Sequence, residues 1–261
     1  MEAFLEQRDG QFVPGPWARG PWGEDSLHGR VLAGLFAREI EHAHGDPEFH
    51  TSRLTVDLFR MPRRTPLSVA SEVVREGRRI RVVSGTMHSE GVEIARMTAV
   101  LLRRSETAPG NVWKPPSWNV PAPDEIGPRT RDEGFDPPWE MRAISGPAFG
   151  GSDRKRAWLR ETRELVAGEP LSPFTRVALA ADIASPMANS GDRGLQFVNA
   201  DITLYLHRLP AGEWLGWEVA SHQSEAGIAV GECTIYDEQG PIGTSTVCAV
   251  SNARQRSGET S

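Results

Sequence analysis

Among residues able to do chemistry, one carboxylate stands apart. Asp182 sits between Ala181 and Ile183 in the apolar run LSPFTRVALAADIAS, 171–185. An aspartate inside an apolar helix is costly unless it is paired, hydrogen-bonded or put to use. Two structural placements compete with a functional one: the exposed side of the helix, or a cap on a break before Ser185-Pro186. The second candidate is His28-Gly29, at the start of another apolar helix. A glycine in a first helical turn lets a backbone N–H approach a carbonyl closely, and the helix dipole stabilises an oxyanion developing there. His28 is then placed to contact a substrate. The alternative for this pair is a solvent-facing histidine and a glycine required by tight helix–sheet packing. The two cysteines, Cys233 and Cys248, lie in strand-like runs. No nearby base would lower either pKa, and two thiols without paired histidines do not make a zinc site. A phosphate-cradling glycine loop, a G-x-S-x-G elbow and an H-E-x-x-H helix are all missing, so no metal and no cofactor is expected.

The elements that must hold these residues are legible from periodicity. Over 29–44, Val31, Leu32, Leu35, Phe36 and Ile40 form one stripe of a helix, with Asp25 or Ser26 as its expected cap. A second apolar helix is expected over 171–185, with Pro173 near its first turn. Between and after them, period-two alternation predicts strands over 53–60, 67–76, 79–89, 93–103, 141–149, 196–207, 212–223, 226–236 and 243–251. Trp158, Leu159 and Leu165 fall at helical spacing within the charged stretch 154–168. Residues 1–24 are rich in Gly, Pro and Trp and exclude a helix interior, with a short strand near 11–13. Residues 105–150 are crowded with proline. Their aromatics, Trp113, Trp118, Phe135 and Trp139, argue that parts of this connection lie against the body.

Composition bounds the function class. A chain of 261 residues that is 38% hydrophobic and 25% charged has material for a real core. A net charge of -6 disfavours a nucleic-acid partner, which needs concentrated basic residues. The basic runs at 60–64, 75–81 and 154–163 read as solvated faces and turns, or as contacts to the phosphates of a nucleotide-bearing substrate. The start MEAFLEQRDG has neither the basic region nor the apolar core of a signal peptide, and no run is long enough to span a bilayer, so the expected compartment is the cytoplasm.

The same structural sentence occurs twice. LTVDLFRMP (54–62) aligns with ITLYLHRLP (202–210), and the turn at Glu90-Gly91 aligns with Gln239-Gly240. Each copy follows an apolar helix, which is the pattern of a duplicated α+β unit. Arg60 and Arg208 fall at equivalent places, so a shared architectural role is expected for them. Five segments then carry a resemblance: LHGRVLAGLFAREIEHAHG (27–45), REGRRIRVVSGTMHSEG (75–91), LAADIASPM (179–187), DITLYLHRLPAGEWLGWEV (201–219) and YDEQGPIGTST (236–246). In their order and spacing the chain resembles the double-hotdog acyl-CoA thioesterases of the thioesterase II type.

The resemblance implies an α+β tandem double hotdog, in which each half wraps a long helix in a curved antiparallel sheet and the sheets join edge to edge. The units would be 1–104 and 141–255, with a connection over 105–140 and a disordered tail over 256–261. It implies chemistry in the groove between the halves, with Asp182 helping to orient a water. The family's Ser or Thr, two residues before an aspartate, is matched here by Asn199 before Asp201, and its glutamine in the last strand by Cys248. Asparagine can hold a water through its amide oxygen, whereas cysteine is a poor replacement for an amide and reads more simply as a small buried strand residue. The expected function is hydrolysis of an acyl-CoA or related acyl thioester, with Asp182, Asn199 and Gly29 catalytic and His28 and Cys248 contacting substrate. The alternative is a protein that binds acyl thioesters or another lipophilic ligand without turning them over. Free sheet edges of this kind offer a route to a homo-oligomer.

Overall fold

Apolar residues recurring every three or four positions make Gly29–His44 a helix, α1, which buries the expected stripe from Val31 to Ile40. The computed structural model describes residues 3–127, 137–147 and 149–252. Phe135 and the tail 256–261 lie outside the described residues. The residue capping α1 is His28, not Asp25 or Ser26; the Ser26 hydroxyl instead donates to the Gly23 carbonyl at 2.8 Å. Ahead of α1 lie β1 (Leu5–Arg8) and β2 (Gln11–Pro14). Behind it follow β3 (Phe49–Leu58), β4 (Leu67–Glu76), β5 (Ile80–Ser89) and β6 (Val92–Arg103).

The second half begins with β7 (Trp139–Ser145) and β8 (Arg156–Glu161). Helix α2 (Pro173–Ala180) follows, with Pro173 in its first turn and the Ser172 hydroxyl accepting from the Thr175 amide. A 3-10 turn at Ala181–Ile183 leads into α3 (Ala184–Asn189). Then come a small hairpin, β9 (Ser190–Gly191) and β10 (Gly194–Leu195), and the strands β11 (Phe197–Asn199), β12 (Asp201–Leu206), β13 (Trp214–Glu225), β14 (Ile228–Asp237) and β15 (Gly240–Ser251).

Apart from the hairpin, these strands form one sheet in the order β1-β2-β4-β5-β6-β3-β12-β15-β14-β13-β8-β7, with β11 added on β15. Every pairing between named strands is antiparallel. The central pair is β3 with β12, in a register that sets Thr203 opposite Thr55. Outward from this pair the order repeats: β6, β5, β4 on one side and β15, β14, β13 on the other. The helices α1, α2 and α3 share a single core with the buried apolar residues of the strands.

Three expectations need correction. The stretch expected to be helical at 154–168 contains strand β8, because both of its faces are covered: Ala157 and Leu159 join the core, while Trp158 is covered on the other face by Trp118, 5.0 Å away between rings. That double covering hides the period of two. The second helix does not end at Ser185. Pro186 falls in the first turn of α3, where a missing N–H has no helical carbonyl to lose, so the chain continues to Asn189. Arg208 and Arg60 do not share a role. Arg208 makes two bonds, 2.5 and 2.7 Å, to the buried carboxylate of Asp237 at the end of β14. Strand β5 ends on Ser89 instead, which offers no anion, and Arg60 is exposed at the rim of a cavity.

The proline-rich connection lies down only in part. Trp118 stacks on Tyr236 with ring centres 4.0 Å apart, over Gly216, where any Cβ would come within 2.4 Å of its ring. Trp113 is 82% exposed. Trp217 is fully buried in the core, and Trp214 is flanked by the guanidinium groups of Arg142 and Arg160.

Candidate active site

Three pieces of chain meet at one end of the helix pair: the first turn of α1, the 3-10 turn between α2 and α3, and the junction of β11 with β12. Asp182 lies in the 3-10 turn and is 7% exposed. Its Oδ1 accepts from Asn199 Nδ2 at 3.0 Å, and its Oδ2 lies 3.3 Å from His28 Nδ1. Gly29 makes this approach possible: a Cβ there would stand 3.0 Å from Oδ2. The near neighbour of this glycine is therefore the carboxylate and not the sheet. The amides of the first helical turn have no carbonyl of their own helix to bond and carry the positive end of its dipole.

Asn199 reaches Asp182 through a bulge. Strand β15 pairs Ala249 with Asn199 and Thr246 with Thr203, so four steps along one chain match three along the other. The extra residue flips the alternation. Asn199 consequently points inward to Asp182, although it stands two residues from Asp201, whose carboxylate takes the Cys248 amide at 2.6 Å.

These groups open on an apolar cavity of about 390 Å³ whose lining includes Trp22, Phe59, Met61, Trp139 and Phe149. Among the described residues lining it, only His28, Arg60 and Asp182 are ionisable. Burial pushes the Asp182 pKa up. The His28 imidazole, the Asn199 amide and the Arg30 guanidinium outweigh that and hold it below the ordinary aspartate value. Asp182 is thus a carboxylate at neutral pH, on the wall of an apolar cleft.

Arg30 is the residue that the sequence reading missed. Its side chain is fully buried, donates from Nε to the Leu179 carbonyl at 3.3 Å and from Nη2 to Glu161 Oε1, and lies over the Trp139 ring at 4.5 Å. Burial drives Glu161 up to about 7 against the pull of Arg30. The only signal in the sequence was a charge next to Gly29, in the first turn of an otherwise apolar stripe. At the other end of the α1–α2 seam, the hydroxyls of Ser172 and Thr175 both donate to Glu41 Oε2, so that carboxylate is already occupied.

Cys248 does not join the site. It is exposed on the face of β15 opposite the helices, between the buried Val247 and Ala249, and does not line the cavity. Partial burial and the Asp201 carboxylate push its thiol up to about 11. It is not the small buried residue that its type suggested. So the structure gathers Asp182, Asn199, Gly29 and His28, and leaves Cys248 outside.

Two family models match the sequence: an acyl-CoA thioesterase N-terminal domain over residues 18–102 and an acyl-CoA thioesterase C-terminal domain over 115–248. The chain belongs to the acyl-CoA thioesterase family. No curated protein matches this thioesterase chain in sequence. Solved structures do match it in fold. A conserved protein with a hot dog fold from Alicyclobacillus acidocaldarius gives a TM-score of 0.73 at 17% identity, over 95% of this chain and 94% of that one. The tesB protein of Mycobacterium avium subsp. paratuberculosis gives 0.68 at 16%, over 95% of each chain. The acyl-CoA thioesterase II TesB2 of Mycobacterium marinum gives 0.65 at 18%, again over 95% of each. At these identities the likeness is one of fold, and the large antiparallel sheet with its two helices fits a hotdog fold. No described helix is long and apolar enough to cross a membrane.

Proposed function

We propose that the protein hydrolyses acyl-CoA thioesters to free acid and CoA in the cleft at the N-terminus of α1, between two tandem hotdog units joined by the proline-rich connection. Thioester hydrolysis is the activity that membership of the acyl-CoA thioesterase family supports. The observation that carries the site assignment is the ionised, buried Asp182 beside Asn199 on the wall of an otherwise apolar cavity. The acyl group lies against the aromatic lining. The attacking water stands at the polar end, positioned by the Asp182 carboxylate together with its neighbours Asn199 and His28. The Gly29 amide, at the positive end of the α1 dipole, stabilises the tetrahedral oxyanion. The CoA phosphates remain near the surface, where Arg60 stands at the cavity rim. A cavity that only stored acyl chains would gain nothing from a desolvated carboxylate, which favours hydrolysis over binding alone.

Free-thiol release from a panel of acyl-CoA substrates tests this reading. Asp182→Asn is expected to lower the rate at least about tenfold, or about 1.4 kcal/mol in the barrier. Equal rates in the two proteins would remove Asp182 from the mechanism.

A further inference from the structure

We propose that His28 carries the proton in this hydrolysis, its Nε2 taking the proton from the attacking water and passing it to the departing sulfur while Asp182 acts through the ring. This rests on the hydrolytic reading above and assigns one role within it.

The geometry of the ring is directional. His28 Nδ1 is enclosed, makes no hydrogen bond, and faces Asp182 Oδ2 at 3.3 Å. The side chain is 17% exposed and lines the cavity. With Nδ1 turned to the carboxylate, Nε2 on the far side of the ring is the nitrogen presented to substrate. The Trp139 ring meets the imidazole edge-on, 6.1 Å between centres and at 90°, which fixes its plane. A carboxylate against Nδ1 selects the tautomer with its proton there and leaves a lone pair on Nε2.

Asp182 is poorly suited to take the proton itself. It is already bonded by Asn199, is held ionised by its neighbours, and is therefore a weak base. The charges around the imidazole are few. They are Asp182, which faces Nδ1, Arg60 at the rim of the cavity, and Arg30, which is paired to Glu161. In the step proposed, the water oxygen bonds to the thioester carbonyl carbon as its proton moves to Nε2, and the carbonyl π pair moves to the oxygen at the Gly29 amide. When the carbonyl re-forms, the C–S bond breaks and Nε2–H protonates the leaving thiolate. Acid and thiol are the products, and no oxidant or reductant enters.

The test is the pH dependence of kcat and KM for the wild type, His28→Gln and Asp182→Asn on an acyl-CoA that the wild type turns over. His28→Gln is expected to lose kcat by about 100-fold or more, with KM little changed. It should also lose the rise of kcat/KM through the range where imidazoles titrate, and added imidazole should restore part of the rate. A His28→Gln rate within about fivefold of wild type overturns the proposal, as does a raised KM with kcat intact, or a lost kcat with the pH rise retained. The hydrolytic reading survives if Asp182→Asn is slow while His28→Gln is fast, and it falls with this proposal only if the wild type releases no thiol from any acyl-CoA.

Discussion

Asp182 was legible because a charge inside an apolar helix violates the burial rule, and such violations concentrate where function is. The reasons for its placement were not legible. The Asn199 contact depends on one extra residue in a strand, which no count of alternating positions reveals. Arg30 gave no signal, since a charged residue in an amphipathic helix is ordinary until its burial is known. Cys248 failed for a related reason: in TSTVCAVS every side chain is small, so inward and outward positions look alike. A cysteine on the outer face of β15 should not matter for hydrolysis. Cys248→Gln is therefore expected to change thiol release by less than about twofold, a surface substitution away from the machinery. A large gain in rate would mean that this face of β15 reaches the substrate.

Among the elements, α1 and the long strands followed from period alone. Strand β1 and the strand β8 did not, since β1 is only four residues long and β8 is covered on both faces. Strand β12 links the strands before the proline-rich connection to those after it, by pairing with β3 on one side and β15 on the other. Leu206 of β12 stands opposite Gly243 of β15. There the backbones come so close that a Cβ on Gly243 would stand 1.8 Å from the Tyr205 carbonyl oxygen. The obstacle is main chain, which cannot swing aside as a side chain would. Gly243→Ala is expected to destabilise the protein by about 3 kcal/mol, at the upper end of overpacking penalties. Urea unfolding measures it, and a change below about 0.5 kcal/mol would show that the two strands separate there at no cost.

At the scale of the whole molecule, the proposed site depends on how closely α1 approaches α2 and the turn that follows it. Helices α1 and α2 pack directly on each other, and Gly34 of α1 lies against Leu179 of α2. A Cβ on Gly34 would meet Leu179 at 3.1 Å and Leu165 at 3.2 Å. The N-terminal segment ties the same halves together, with Phe4 and Leu5 donating to the carbonyls of Glu164 and Leu165 at 3.0 and 2.9 Å. With one core running through both halves, unfolding is expected as a single cooperative transition. Gly29 and Asp182 face each other along the same seam, so a wedge placed at Gly34 opens the site from a distance. Gly34→Val is expected to cost about 2 kcal/mol, because its obstacles are leucine side chains that yield in part. It should also slow hydrolysis although residue 34 does not line the cavity. Thermal unfolding and thiol release, measured on the same protein, separate the two effects. A destabilised variant with wild-type kcat would show that the contact between Gly29 and the Asp182 carboxylate survives a displaced helix, and that the seam does not set the geometry of the site.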